Sequence, residues 1–309
     1  MDLLRTVNRK VGRTFGYEIR RARRDPAPAA KTGGTPGGTS KPVGFRPPED
    51  PGTDRLLRRP VFIISPVRSG STLLRLLLDA HSQLHAPHEL HVRHLEVHTS
   101  SRLAERGIAA LGLERGDLEH LLWDRLLHRE LVRSGKSVLV EKTPGNAFVA
   151  RRIAACWPDA RFVFLLRHPA SIARSWHDAA PEARTPNEAA LDALKYMRSV
   201  EKARTQLPGH TVRYEELTDD PETALKALCG FLEIEWEPGM TEYGARGDED
   251  LPIGLGDWKD KIRSGRVQPG RELPGPEDTP ERLRGIAEAW GYVGAGPGGT
   301  RTAAAAAEE

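Results

Sequence analysis

The chain has 309 residues, of which 38% are hydrophobic, and a formal net charge of +3. The basic excess lies in residues 1–24, where eight lysines and arginines accompany two carboxylates, so the remainder of the chain is net acidic. This distribution excludes a nucleic-acid-binding surface spread over the main body. There is no apolar stretch of 18 residues and no apolar signal-peptide block, which predicts a cytoplasmic protein.

Composition divides the chain into four predicted segments. Residues 1–24 form a basic amphipathic segment that can lie on an anionic membrane surface or dock on a partner. The alternative is a helix packed on its own domain, or a solvated tail. Residues 25–53 and 293–309 are rich in glycine, proline or alanine and lack the apolar residues that offset ordering entropy, so both are predicted to be disordered. Residues 54–292 remain as one folded domain.

Within this domain, short apolar runs alternate with helical patterns. In chain order the predicted elements are strand 60–65, helix 71–81, helix 117–135, strand 137–144, helix 146–158, strand 160–169, helix 187–207, strand 210–217, helix 220–234 and helix 279–292. Strands that alternate with helices indicate βαβ units and a parallel sheet covered on both faces. The predicted fold class is therefore a P-loop-like, three-layer α/β/α architecture, whose ligands bind beyond the carboxyl ends of the strands.

The stretch "SPVRSGSTLL" at 65–74 leads from the first strand into a helix. Backbone N–H groups and the helix dipole at such a position favour an anion. The lysine of a P-loop that binds triphosphates is missing, because Ser71 stands in its place. Arg68 is then the cationic residue within the loop, which predicts a phosphate-like ligand other than a nucleoside triphosphate.

Polar residues also follow the other predicted strands. Arg167 ends the third strand, and Ser171 and Ser175 follow four and eight residues later. Glu141–Lys142 and Tyr214–Glu215 lie at the ends of the second and fourth strands. Because the carboxyl ends of parallel strands meet at one edge of a sheet, we expect these groups to converge. Two anion-binding elements on adjacent strands favour a nucleotide that carries two separated phosphate groups.

A resemblance follows from the order of these stretches. The loop followed by "LLRLLLDAH" and "APHEL", then "EKTP", "FVFLLRHPASIARS", "VRYEELTDDPETALKALCGFL" and "GDWK", resembles the sulfotransferases that use 3′-phosphoadenosine 5′-phosphosulfate (PAPS). The bacterial branch that is similar to tyrosylprotein sulfotransferases is the best match, over roughly residues 60–292. The resemblance implies PAPS as co-substrate, no metal and a hydroxyl-bearing acceptor.

The same resemblance assigns the nucleotide-binding residues. They are Arg68, Ser69, Gly70, Ser71 and Thr72 at the 5′-phosphosulfate, Arg167, Ser175 and Lys259 at the 3′-phosphate, and Tyr214 near the nucleotide. Two departures from the family pattern are present. The proline that precedes the loop's basic residue is shifted to Pro66, with Val67 between, and the basic cluster that usually precedes "GDWK" is absent.

The resemblance also assigns three catalytic residues. Glu89 lies 21 residues after Arg68, where the family places a glutamate general base, and Lys142 matches the lysine that contacts the transferring sulfonate. Sulfonate transfer resembles the loose in-line displacement of phosphoryl transfer, in which positioning and charge stabilisation dominate. Arg68 and Lys142 can neutralise the charge that builds on the leaving phosphate.

The histidine-rich stretch at 81–98 offers alternatives. His88 or His91 could replace Glu89 as the base, and His91, His94 and His98 are spaced like one helical face that could hold a metal. No carboxylate or cysteine completes an obvious metal-ligand set.

The sequence therefore predicts a sulfotransferase, with a P-loop-type kinase and a catalytically inactive nucleotide-binding adaptor as alternatives. The acceptor class stays open among natural products, carbohydrates, lipids and peptides, and no nucleic-acid partner is expected. The segments expected to select the acceptor, about 90–115, 177–190 and 240–275, have no interpretable pattern.

Overall fold

The computed structural model describes residues 44–246 and 264–293. The predicted basic segment at 1–24, the predicted linker up to residue 43 and the predicted tail from 294 onward lie outside the described residues. The last part of the predicted linker contacts the domain, since Arg46 forms an ion pair with Asp117 at 2.9 Å. Packing against the domain therefore begins before the predicted boundary at residue 54.

The centre of the fold is a sheet of five parallel strands. They are β1 (Val61–Ile64), β2 (Leu84–His85), β3 (Val138–Glu141), β4 (Arg161–Leu166) and β5 (Gly209–Arg213). Their spatial order is β2-β3-β1-β4-β5, and every neighbouring pair is parallel. The first strand is therefore central, and its carboxyl end lies between those of β3 and β4, where the predicted polar groups converge.

Helices connect the strands. They are α1 (Pro51–Asp54), α2 (Ser71–Asp79), α3 (Arg102–Ala110), α4 (Arg115–Ser134), α5 (Ala150–Cys156), α6 (Pro169–Asp178), α7 (Pro186–Gln206), α8 (Tyr214–Asp219), α9 (Pro221–Leu232) and α10 (Glu281–Ala289). Local sequence sets several of their ends. Thr185 and Glu188 form a capping box before α7, Asp220 caps α9, and Gly135 ends α4 in the left-handed conformation.

Two elements differ from the prediction for local reasons. The strand predicted over 210–217 ends at Arg213, and its last residues belong to α8. A reciprocal capping interaction between Arg213 and Glu216 starts that helix. The helix predicted over 146–158 is divided into a 3₁₀ turn, Pro144–Val149, and α5.

Two hydrophobic clusters cover the two faces of the sheet. Alternate residues of β1 contribute to each, because Phe62 and Ile64 belong to one cluster and Val61 and Ile63 to the other. Helices α4, α5, α6, α7 and α10 pack on the first face, and α2 and α9 pack on the second. This arrangement confirms the predicted three-layer α/β/α architecture.

Candidate active site

The loop between β1 and α2 is a tight turn that leads into a helix N-terminus. Arg68 and Gly70 have φ values of 60° and 90°, and the Ser69 hydroxyl donates to the Pro66 carbonyl at 2.8 Å. Val67 is buried, so the extra residue between Pro66 and Arg68 packs inward. The first N–H groups of a helix lack partners within that helix and are oriented towards the loop. The segment therefore has the local geometry of an anion cradle.

A glycine at position 70 is required for two reasons. Its φ lies in the left-handed region, and a Cβ there would overlap the ring of Tyr214. Tyr214 begins α8, directly after β5. The other part of its ring stacks on the guanidinium of Arg167, whose Cζ is 4.3 Å from the ring centre. Tyr214 therefore connects the loop with the end of β4.

The two predicted phosphate elements are in direct contact. The Nη1 of Arg167 donates to the Arg68 carbonyl at 3.0 Å, and the Nε of Arg68 donates to the Ser175 hydroxyl at 3.2 Å. Burial lowers the pKa of Arg167, and the charges of Arg271 and Arg68 act in the same direction. Two buried or half-buried guanidinium groups at one site create a positive potential that an anionic ligand would offset.

A cavity of about 300 Å³ lies beside Arg167. Ser171 and Tyr214 line it, and the segment 269–273 closes its other side. Arg271, within that segment, is a cation that the sequence analysis did not identify. Its charge acts on Arg167, while its Nη1 lies 3.4 Å from a carboxylate oxygen of Asp178. The cavity adds room for a ligand next to the arginine cluster.

Lys142 and Glu89 form an ion pair at the end of β3. The lysine ammonium contacts Oε1 of Glu89, and 1% of the lysine side chain is exposed. Burial lowers the pKa of Lys142, and the Glu89 carboxylate opposes this shift. The Nε2 of His91 lies 3.4 Å from the other oxygen of Glu89. The structure therefore brings Glu89, Lys142 and His91 together.

His88 differs from the other predicted bases. Its Nδ1 lies 3.2 Å from the backbone carbonyl of Glu89, so this contact is with the main chain rather than the carboxylate. The interpretation of His91, His94 and His98 as one helical face is wrong, because residues 92–94 form a single 3₁₀ turn. Within residues 44–246 and 264–293, no group of three histidine, cysteine or acidic side chains is clustered for a metal. Lys259 lies outside the described residues.

Sequence reasoning missed two charged residues that support the site. Arg75, on α2, is buried and its Nη1 donates to the Ala86 carbonyl at 2.6 Å. Its charge lowers the pKa of Lys142. Glu141 is fully buried immediately before Lys142. A single arginine inside the apolar run "LLRLLL", and a carboxylate ending a buried strand, were the signals for these two residues.

The Glu141 carboxylate anchors the segment that carries Glu89. It accepts hydrogen bonds from the Thr143 hydroxyl at 2.6 Å, from the Asn146 amide and from the backbone N–H of Leu90. The Thr143 hydroxyl in turn lies 3.4 Å from the backbone nitrogen of His91. Strand β3 thereby fixes the chain on the carboxyl side of Glu89, so that its side chain faces Lys142.

We expect Glu141 to make stability depend on pH. Burial raises its pKa from an ordinary value of 4.5 to about 7. The unfolded chain therefore releases this proton at lower pH than the folded chain, and the free energy of unfolding falls as pH rises from about 4.5 to 7. The expected fall is at most about 3 kcal/mol. Urea unfolding at pH 5 and pH 8 should show this fall in the wild type and a smaller one in Glu141→Gln.

Glu222→Gln is the control for this prediction, because Glu222 is exposed on α9 and pairs with Lys226 at 2.6 Å. It should keep the wild-type pH dependence. An unchanged pH dependence in Glu141→Gln would contradict the assignment of a raised pKa to this buried carboxyl group.

Among the described residues, none of the helices combines the length and the apolar character needed to cross a bilayer.

Comparison with known proteins identifies a family. The model of the sulfotransferase family matches residues 60–238, which is more than half of the chain. Nodulation protein NoeE of Sinorhizobium fredii is 30% identical over 125 residues, covering 37% of this chain and 30% of that protein. An uncharacterized protein of Aquifex aeolicus is 24% identical over 208 residues, covering 60% and 27%. The chain thus spans less than a third of the length of either curated relative.

Two solved structures share the fold. The sulfotransferase domain of the Synechococcus PCC 7002 olefin synthase is 21% identical, with a TM-score of 0.58 over 81% of this chain and 99% of that one. The sulfotransferase domain from the curacin biosynthetic pathway is 22% identical, with a TM-score of 0.53 over 77% and 99%. The narrower resemblance to tyrosylprotein sulfotransferases stays a prediction. The family model and the P-loop-like α/β fold agree with the predicted family, and the chain belongs to the sulfotransferase family.

Proposed function

We propose that this chain transfers the sulfonate group of PAPS to an acceptor hydroxyl. The observation that carries the proposal is the direct contact between the two phosphate elements. Arg167 donates to the backbone of the loop at Arg68, and the Arg68 side chain donates to Ser175. A ligand that engages both elements needs two separate anionic groups, as PAPS has.

The residues fit this nucleotide. The loop 68–72 would hold the 5′-phosphosulfate through its backbone N–H groups and the Ser71 and Thr72 side chains. Arg167 and Ser175 would hold the 3′-phosphate. The close approach of Tyr214 to Gly70 supports a role for that ring beside the nucleotide. Lys259 remains a proposed further ligand of the 3′-phosphate.

The chemical step uses the Glu89–Lys142 pair. As the acceptor oxygen forms its bond to sulfur, the bond between sulfur and the 5′-phosphate oxygen breaks, and Glu89 takes the acceptor's proton. Lys142 and Arg68 stabilise the negative charge on the transferring group and on the leaving 3′,5′-adenosine bisphosphate (PAP). His91 is the alternative base, since it lies beside the same carboxylate. No metal takes part in this mechanism.

The two alternative functions are less well supported. A P-loop kinase needs the lysine that Ser71 replaces. An inactive adaptor would not need a buried lysine in contact with a carboxylate beside the loop, and such a pair is expensive to desolvate. The acceptor is proposed only as a hydroxyl compound, whether natural product, carbohydrate, lipid or peptide. The cytoplasmic location, the domain boundaries at 54 and 292 and a membrane contact through 1–24 are also proposals.

Thermal unfolding in the presence of nucleotides tests the function. At 100 times its dissociation constant, PAP should raise the Tm by roughly 5–10 °C, because it binds only the folded chain. ATP with Mg²⁺ should have a much smaller effect. Stabilisation by ATP and Mg²⁺ without stabilisation by PAP would contradict the proposal and favour a kinase.

A further inference from the structure

Arg93 lies where the two proposed catalytic segments meet. It belongs to the 3₁₀ turn Val92–His94, which follows Glu89. Its Nε lies so close to Gly145, three residues after Lys142, that a Cβ at that glycine would be 2.7 Å away. Any side chain at Gly145 would therefore displace the guanidinium. The arginine is held against the turn that follows Lys142, beside the proposed reaction centre.

Arg93 forms no ion pair with a carboxylate in the described part of the chain, and its Nε is buried there without a hydrogen-bond partner. The nearby carboxylates have other partners. Glu89 contacts Lys142, and Glu96 pairs with Arg115 at 2.9 Å. An arginine half-buried without a counter-ion is costly, because its desolvation is not offset. Such a residue is prepared to receive an anion from outside.

The surroundings add positive charge and an apolar surface. The pKa of His94 is lowered by burial and also by the charges of Arg93 and His91, so the local potential is positive. The Arg93 guanidinium lies 5.8 Å from the ring centre of Phe148, and 42% of Phe148 is exposed. Phe148 also packs edge-on against Tyr196, with 4.7 Å between ring centres.

We infer that Arg93 and Phe148 select the acceptor, and that the acceptor is a hydroxyl compound with an apolar portion and a negatively charged oxygen group. This inference rests on the proposed function. The planar guanidinium matches the two oxygens of a carboxylate or the oxygens of a phosphate. The exposed face of Phe148 covers the apolar part of the acceptor. With both ends held, the hydroxyl is placed at Glu89, and Arg93 also offsets the repulsion between an anionic acceptor and anionic PAPS.

Binding of a matched pair of phenols tests this inference. With the enzyme saturated by PAP, the dissociation constants of 3-(4-hydroxyphenyl)propanoate and its uncharged amide are measured by calorimetry. The wild type should bind the propanoate more tightly. Arg93→Gln should weaken propanoate binding by about 10- to 100-fold, the amount expected for one charged hydrogen-bonded contact, and leave the amide nearly unchanged.

Three further variants complete the design. Arg93→Lys keeps the charge and should retain part of the preference for the propanoate, whereas Phe148→Ala should weaken both compounds. Arg129→Gln changes an exposed arginine that pairs with Glu130 on α4 and should behave like the wild type. PAP affinity is measured in each variant and should stay constant, which also shows that the variants fold.

The possible failures are distinguishable. If the wild type binds PAP but binds the propanoate and the amide equally, or if Arg93→Gln keeps the preference, this inference alone is overturned. If the wild type does not bind PAP, the proposed function falls, and the inference falls with it.

Discussion

Replacing Lys142 by methionine is expected to lower the kcat of sulfonate transfer by on the order of 10²–10³-fold, the usual effect of removing one preorganised donor to a developing charge. The lysine ammonium contacts Glu89 and is almost fully buried, so water cannot readily replace it. Methionine has a similar volume and no charge, and removing a desolvated ion need not destabilise the fold. The expected loss is therefore in catalysis rather than in folding.

Transfer from sulfonate-labelled PAPS to an acceptor used by the wild type measures this effect. Lys195→Met is the control, because Lys195 is exposed on α7 and pairs with Asp192, and it should keep the wild-type kcat. Unfolding temperature and PAP affinity are checked in both variants. A normally folded Lys142→Met enzyme with wild-type kcat would remove Lys142 from the catalytic residues.

Replacing Arg167 by glutamine is expected to weaken PAP binding by about 10- to 100-fold or more, the loss expected for a buried charged contact with phosphate. The side chain ends β4, stacks on Tyr214 and donates to the Arg68 carbonyl. Because its proposed partner is the 3′-phosphate, the affinity for 5′-AMP, which lacks that group, should change much less. The difference between the two ligands separates a phosphate contact from a general distortion of the loop.

Calorimetric titration of both nucleotides measures this difference. Arg133→Gln changes an arginine on the exposed side of α4, 4.0 Å from Glu130, and should leave both affinities unchanged. An equal loss for PAP and 5′-AMP would mean that Arg167 acts only by supporting the loop. No loss for either ligand would remove Arg167 from the nucleotide site.

The sequence was sufficient to predict the sheet and the convergence of the polar groups. The four predicted strands are short apolar runs, and those at β3 and β4 are followed closely by Pro144 and Pro169, so local signals bound them clearly. In a parallel sheet the carboxyl ends of such strands must lie together. For this reason Arg68, Arg167, Ser175 and Tyr214 could be grouped before any distance was known.

The elements that were missed lack such local signals. Strand β2 has two residues, too few for a periodic pattern, and exists because it pairs with β3. Helix α3 has no buried residue, so its sequence carries no clear apolar face. The end of β5 depended on a capping interaction between Arg213 and Glu216.

The missing part of the site consists of contacts across the sequence. Glu141 could be identified as a strand end, but its bond to the backbone of Leu90 joins segments about 50 residues apart. Arg93 became notable only when its guanidinium was found against Gly145 and Phe148 without a carboxylate partner in the described residues. Pattern and spacing do not contain such information, because each contact depends on how two loops pack.

A crystal structure of the chain with PAP tests the central claim most directly. The account predicts the 5′-phosphate at the loop 68–72, within hydrogen-bond distance of the N–H groups that begin α2, and the 3′-phosphate at Arg167 and Ser175. Lys142 and Glu89 would then face the position of the departed sulfonate. PAP bound elsewhere, or bound with its 3′-phosphate away from Arg167, would contradict the account.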